Sequence, residues 1–159
     1  MKKNNDKKHF VKYTVIALTG LFTATLDAVA AILSGHKVPA TTIFKFIASG
    51  VFGKAAFVGG FGMVGAGIFF HYLIACSFTA VLFILYPMFI IFLKNKYVVA
   101  VVFALITWVI THLVIVPLSR IEWTQMEIGG IAIGFGILII TIGLPIALIA
   151  DRYFQFGRE

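Results

Sequence analysis

The chain has 159 residues, the length of a single domain, yet 61% of them are hydrophobic and only 12% are charged. Soluble domains carry about 25% charged residues, and the mean hydropathy here is +1.06. This composition excludes a soluble enzyme, a disordered chain and a disulfide-stapled secreted module. The net charge is +7, and five of the 13 Lys and Arg residues crowd the N-terminus beside the first apolar segment, which favours membrane lipids over nucleic acid as the partner.

Four apolar segments are long enough to cross the hydrocarbon core of a bilayer as helices, which takes about 20 residues. No alternation typical of strands occurs in the sequence. We therefore predict an all-α polytopic membrane protein, organised as a single domain over residues 1–159. The predicted spans cover residues 11–34, 65–93, 97–118 and 128–150, and a short interfacial or re-entrant helix covers residues 40–53.

The first segment also resembles a signal peptide, because a lysine-rich start and an apolar run precede the small residues Ala28 and Ala30. Asp27 interrupts the region where cleavage would occur, and apolar residues continue through Leu33. A retained helix is therefore favoured.

The distribution of Lys and Arg predicts the orientation, because cytoplasmic loops carry an excess of these residues. A cytoplasmic N-terminus places nine of them on the cytoplasmic side and four outside, so both termini are predicted to be cytoplasmic. The four predicted outside are Lys37, Lys45, Lys54 and Arg120.

Glycine and proline mark positions of predicted close packing and predicted bends. Small residues let membrane helices approach closely, either within the bundle or across a dimer, so the sequence allows a homo-oligomer or a larger membrane complex. The predicted packing positions are Gly20, Gly67, Gly130 and Gly134, the last two forming a G-x-x-x-G at the start of the fourth span. Kinks or helix ends are predicted at Pro87, Pro117 and Pro145.

A few polar side chains lie within the predicted spans, where an ionisable group is costly and normally faces the bundle interior or a water-filled cavity. With a cytoplasmic N-terminus, one aspartate and two histidines fall in the outer third of the bilayer, on helix faces that also carry threonines. We therefore predict a polar intramembrane site made of Asp27, His71, His112, Thr23, Thr79 and Thr111. Lys45 of the short helix is an accessory candidate that could extend to the headgroups or reach Asp27.

Several chemistries fit such a group, namely structural hydrogen bonds, a proton or ion site, or a metal site. The metal-ligand spacings H-x-x-x-H and H-E-x-x-H are absent from the sequence, and the serines lack G-x-S-x-G context. No metal ligand, cofactor or catalytic residue is therefore predicted.

Short motifs of the second and third spans resemble a known family. They are His71, Tyr86-Pro87, Thr111-His112 and Val116-Pro117-Leu118. On these motifs, roughly residues 65–120 resemble the YagU-like group of small bacterial inner-membrane proteins. The resemblance implies a helical protein of the bacterial inner membrane with no established enzyme activity, and His71, His112 and Pro117 carry over by position. The long polar insertion that some members have after the first span is replaced here by the glycine-rich segment.

Three functions remain open from the sequence. The leading hypothesis is a non-enzymatic inner-membrane protein that supports envelope or pH homeostasis, through an ion or proton pathway lined by Asp27, His71 and His112. The second is a structural or accessory subunit of a larger membrane complex. The third is an integral membrane enzyme or metal protein.

Overall fold

The computed structural model describes residues 2–35, 38–121 and 128–156, and within them the chain is helical with no strand. Lys37 and Arg158, which enter the predicted orientation, lie outside the described residues. The helices are α1 (Lys2–Ser34), α2 (Ala40–Phe52), α3 (Ala55–Val58), α4 (Phe61–Leu93), α5 (Lys96–Ile110), α6 (Val116–Leu118), α7 (Ile128–Leu138) and α8 (Leu144–Phe156).

Four stretches are long and apolar enough to cross a membrane: Val11–Ser34, Phe61–Leu93, Lys96–Leu118 and Gly130–Gln155. We number them as the first to fourth spans. They confirm the predicted all-α membrane class, and the short apolar helix α2 follows the first span as predicted. The largest differences from the predicted bounds are at two ends: the second span begins at Phe61 rather than at residue 65, and the fourth continues to Gln155 rather than stopping at residue 150.

The spans pack as a bundle. The first span and α2 both lie against α4, and the third and fourth spans lie against each other, with α1 contacting the fourth. Aromatic and aliphatic side chains fill the centre, where Phe83 and Phe103 are fully buried. Large apolar side chains cover the outside, and Leu18 and Leu113 are more than half exposed, as a lipid-facing surface requires.

Two π-helical turns interrupt the third and fourth spans, Thr111–Ile115 and Ile139–Gly143. Each ends shortly before a proline, Pro117 or Pro145. Proline lacks the N–H of a regular helix, and its ring crowds the carbonyl four residues earlier. A wider turn relieves that conflict, and such turns are frequent at functional sites. Pro87 lies inside α4, which continues past it to Leu93.

Two of the predicted packing glycines lie where helices touch. A Cβ at Gly67 would collide with the carbonyl oxygen of Phe44, so the backbone of α2 lies directly on α4. A Cβ at Gly20 would lie 3.1 Å from the Sγ atom of Cys76, at the contact of α1 with α4. Because glycine has no side chain, the helices can approach each other this closely at both positions.

The other two predicted packing glycines have no such contact. Among the described residues, no atom lies within 4 Å of a Cβ at Gly130 or Gly134. The close approach of the fourth span is instead at Gly143, where a Cβ would collide with the carbonyl oxygen of Ala100. The G-x-x-x-G face is therefore open within the described part of the bundle.

Candidate functional site

A cavity of about 500 Å³ lies between the spans at one end of the bundle, opposite the N-terminal end of α1. The end of α1, the first half of α4, the end of the third span and the first half of the fourth span line it, and α2 lines one side. Most of the wall is apolar. We call this space the α2-side cavity.

Seven polar residues interrupt the apolar wall of the α2-side cavity, and four of them belong to the polar site predicted from the sequence. The structure therefore brings Asp27, His71, Thr111 and His112 together around one space, although they come from three different spans. The polar residues of the wall are Asp27, Ser34, His71, Thr107, Thr111, His112 and Ser119.

Asp27 contributes a carboxylate that is only partly engaged by the protein. Its Oδ1 atom accepts a hydrogen bond of 2.8 Å from the hydroxyl of Thr141, which is buried in the π-turn of the fourth span. Within the described part of the chain, neither a second donor nor a cation contacts the carboxylate. One oxygen atom, Oδ2, is therefore available to a ligand.

His71 joins α4 to α1. Its Nε2 atom lies 2.9 Å from the carbonyl oxygen of Ala24, and because a carbonyl only accepts, Nε2 must carry the proton. The ring also meets those of Phe44 and Tyr72 edge to face. These contacts fix the imidazole and leave Nδ1 with a lone pair.

His112 lies in the π-turn of the third span and is held within its own helix. Its Nδ1 atom lies 3.0 Å from the carbonyl oxygen of Trp108, and its ring stacks on the Trp108 indole at 4.7 Å between centroids. Nδ1 therefore carries the proton, and Nε2 keeps its lone pair. The imidazole is both oriented and open to an incoming donor.

Thr23 and Thr79 do not line the cavity. Their hydroxyls hydrogen bond to each other at 2.9 Å, between α1 and α4, and both side chains are fully buried. Thr23 lies one helical turn before Asp27, so this pair forms a polar contact directly beneath the cavity. Its geometry is that of a structural link between two spans.

Lys45 lies away from Asp27. Its ammonium donates a 3.2 Å hydrogen bond to the carbonyl of Phe57 and thereby links α2 to α3. The predicted contact between Lys45 and Asp27 is not formed, because the lysine satisfies a backbone acceptor near its own helix.

A packed layer separates the cavity from the opposite end of the bundle. Leu82, Phe83, Tyr86 and Phe103 are each no more than 1% exposed. Tyr86 and Phe103 meet edge to face, with their ring centroids 6.4 Å apart. The only polar group of these four side chains, the Tyr86 hydroxyl, donates to Asp151, so the layer forms an apolar floor beneath the cavity.

Sequence reasoning did not identify a second polar cluster, which lies beyond the packed layer. The carboxylate of Asp151 accepts hydrogen bonds from the Tyr86 hydroxyl at 2.9 Å and from the Lys96 ammonium at 3.2 Å. We call these three residues the Asp151 cluster. The available signal was an aspartate just beyond the predicted end of the fourth span and a lysine just before the predicted start of the third.

The arrangement of polar side chains bears on the metal hypothesis. Within the described ranges, no three His, Cys, Asp or Glu side chains converge as a metal centre requires. Asp27 and the two histidines share a cavity without forming a common ligand set.

No protein-family model, curated protein or solved structure matches this chain. The resemblance to the YagU-like group therefore stays a prediction.

Proposed function

We propose that this chain is a non-enzymatic membrane protein that binds a small amphipathic molecule in the α2-side cavity. The observation that carries the proposal is the composition of the wall, about 500 Å³ of mostly apolar surface interrupted by Asp27, His71 and His112. Ligand sites are typically clefts of roughly 300–1,000 Å³ with apolar walls and a few convergent polar groups. The cavity has that size and that chemistry.

The fixed orientation of the polar groups supports this role. His71 is held by a backbone carbonyl and two aromatic rings, and His112 by a carbonyl and an indole. Both imidazole rings are therefore held in place before a ligand arrives, which lowers the entropic cost of binding.

The packed layer favours binding over free passage. Phe83 and Phe103 are fully buried beneath the cavity, so a molecule that enters from the α2 side meets a closed floor. The excess of Lys and Arg on the N-terminal side supports a cytoplasmic N-terminus, and the bacterial inner membrane is part of the proposal. In that orientation the cavity belongs to the outer half of the bilayer.

Blocking the cavity tests the proposal. Gly134 lines the cavity and has open space at its Cβ position, so Gly134→Phe adds a side chain there. Gly130→Phe is the matched control, because Gly130 lies one turn earlier, has the same open surroundings and is not part of the wall. Both substitutions alter the G-x-x-x-G face equally.

Trp108 provides the readout, because its indole stacks on His112 of the wall. The chain has two tryptophans, so Trp123→Phe leaves Trp108 as the only one. In lipid nanodiscs, bromodecanol should quench Trp108 saturably in this background and with Gly130→Phe. With Gly134→Phe, only the linear quenching from the lipid phase should remain. Equal saturable quenching in both variants, or none in the parent, would contradict the proposal.

We propose a proton pathway as the second candidate, on an observation at Thr141. Its hydroxyl carries one proton but lies 2.8 Å from Oδ1 of Asp27 and 2.9 Å from the carbonyl of Ile137. If Asp27 carried a proton, it could donate that proton to the Thr141 hydroxyl while Thr141 donates to the Ile137 carbonyl, so both contacts would be hydrogen bonds. In liposomes with an internal pH dye, the pathway requires wild type to carry protons faster than Asp27→Asn, and equal background fluxes would exclude it.

A further inference from the structure

We infer that the polar head of the molecule bound in the α2-side cavity is an ammonium group, so that the ligand is a lipophilic amine. This inference rests on the proposed binding function and specifies its ligand class. It follows from the hydrogen-bonding state of the groups in the wall and from the charge of Asp27.

Five of the polar side chains of the wall have already used their protons. The hydroxyls of Ser34, Thr107 and Ser119 each donate to a backbone carbonyl of their own segment, three or four residues earlier. His71 and His112 likewise donate their ring N–H to backbone carbonyls. These five side chains therefore offer the cavity lone pairs.

The carboxylate of Asp27 adds the only formal charge on the described part of the wall. Lys45, the cation predicted as an accessory of the site, donates instead to the Phe57 carbonyl, and no ion pair joins Asp27 to a described residue. An ionised carboxylate surrounded by apolar side chains needs a counter-charge. No described residue supplies it.

A wall of acceptors with one carboxylate selects for a cation that carries N–H donors. An ammonium group can donate to Oδ2 of Asp27 and to Nε2 of His112 while its charge neutralises the carboxylate. A carboxylate or phosphate head would place a second negative charge beside Asp27, and a single neutral donor such as the Thr111 hydroxyl does not offset that repulsion. A hydroxyl head can donate once but leaves the charge uncompensated.

An inorganic cation fits this wall less well than an amine. Mg²⁺ and Ca²⁺ require about six or more oxygen ligands, many of them carboxylates or waters, and no group of metal ligands converges within the described residues. Phe46, Phe70 and Phe78 instead supply apolar surface for a hydrocarbon chain. The cavity therefore suits a molecule with one cationic end and an apolar remainder.

The test compares three probes that differ only in their head group: bromodecylamine, bromodecanol and bromodecanoate. Each is titrated into nanodiscs that hold the Trp123→Phe protein, with saturable quenching of Trp108 as the signal. We expect the amine to bind at least about ten-fold more tightly than the alcohol, which corresponds to roughly 1.4 kcal/mol, and the acid to bind most weakly. Asp27→Asn should remove the advantage of the amine over the alcohol, while Asp27→Glu should retain it.

The outcomes separate this inference from the proposal beneath it. Saturable binding of the alcohol or the acid as tight as that of the amine overturns the ammonium assignment but leaves a cavity that binds amphiphiles. If no saturable quenching is seen, or if Gly134→Phe does not remove it, both the ammonium assignment and the proposed binding function are overturned. If Asp27→Asn does not give a folded protein by circular dichroism, the comparison of the three probes on the parent protein still decides.

Discussion

Two aspartates on the spans have opposite surroundings. Asp151 is 8% exposed and holds both oxygen atoms against donors, the Tyr86 hydroxyl and the Lys96 ammonium. Asp27 lines a cavity and accepts one hydrogen bond, from Thr141. The first carboxylate is enclosed by its partners, whereas the second is exposed to a space that the described protein leaves open.

The difference shows what distinguishes a structural polar cluster from a binding site within one bundle. Aromatic rings pack around the Asp151 cluster, where Phe154 stacks on Tyr86 with an angle of 9° between the ring planes. A charged pair with satisfied hydrogen bonds in such packing stabilises one arrangement of spans, because removing either partner leaves the other unpaired. Asp27 has no such partner among the described residues, so its charge remains available for a ligand.

The largest expected effect comes from breaking the Asp151 cluster. Asp151→Ala leaves the buried Tyr86 hydroxyl without its acceptor and Lys96 without its counter-charge. We expect the free energy of unfolding to fall by roughly 2–3 kcal/mol. This expected loss of stability is smaller than the cost of breaking a fully buried ion pair, because the Lys96 side chain is 38% exposed and can turn toward water.

Asp27→Ala is the matched variant for this comparison and should cost less than about 1 kcal/mol, since one hydrogen bond is lost. Unfolding in mixed micelles with increasing dodecyl sulfate, followed by circular dichroism, gives both values. Equal losses of stability would mean that Asp27 is as structural as Asp151.

A smaller effect is expected where α2 rests on α4, because this contact forms one side of the cavity. In Gly67→Ala the new methyl group collides with the Phe44 carbonyl and pushes α2 away. We expect the free energy of unfolding to fall by about 1–2 kcal/mol and the quenching of Trp108 by bromodecanol to weaken. Gly65→Ala is the control, because a Cβ there meets no described atom within 4 Å and alanine favours a helix by up to about 1 kcal/mol. Unchanged quenching in Gly67→Ala would show that α2 does not shape the site.

Local properties of the sequence explain why the class and the four spans could be predicted. Length and apolarity are contained within each segment, and helical periodicity together with the alternating direction of the spans placed Asp27, His71 and His112 at one depth. The structure adds the common cavity that these three residues line.

Partners distant in the sequence explain most of what could not be predicted. Thr141 is 114 residues from Asp27, and its widened turn depends on the local accommodation of Pro145. Asp151 lies outside the predicted fourth span, and its burial depends on Tyr86 and Lys96 of other helices. The sequence pattern alone does not show which of these distant residues are in contact, because their contacts depend on how the helices pack.

The smallest expected effect concerns the hydrogen bond between Thr141 and Asp27, and a double-mutant cycle measures it. Thr141→Val removes the hydroxyl at nearly constant volume, and Asp27→Ala removes the acceptor. Hydrogen bonds between membrane spans have coupling energies of about 0.6 kcal/mol on average, so we expect a value of that size from unfolding of the four proteins in mixed micelles. A coupling above about 1.5 kcal/mol would place Asp27 with Asp151 as a structural carboxylate. A small coupling energy means that Thr141 engages the Asp27 carboxylate only weakly. The carboxylate then remains able to bind a ligand in the cavity, as the ammonium assignment requires.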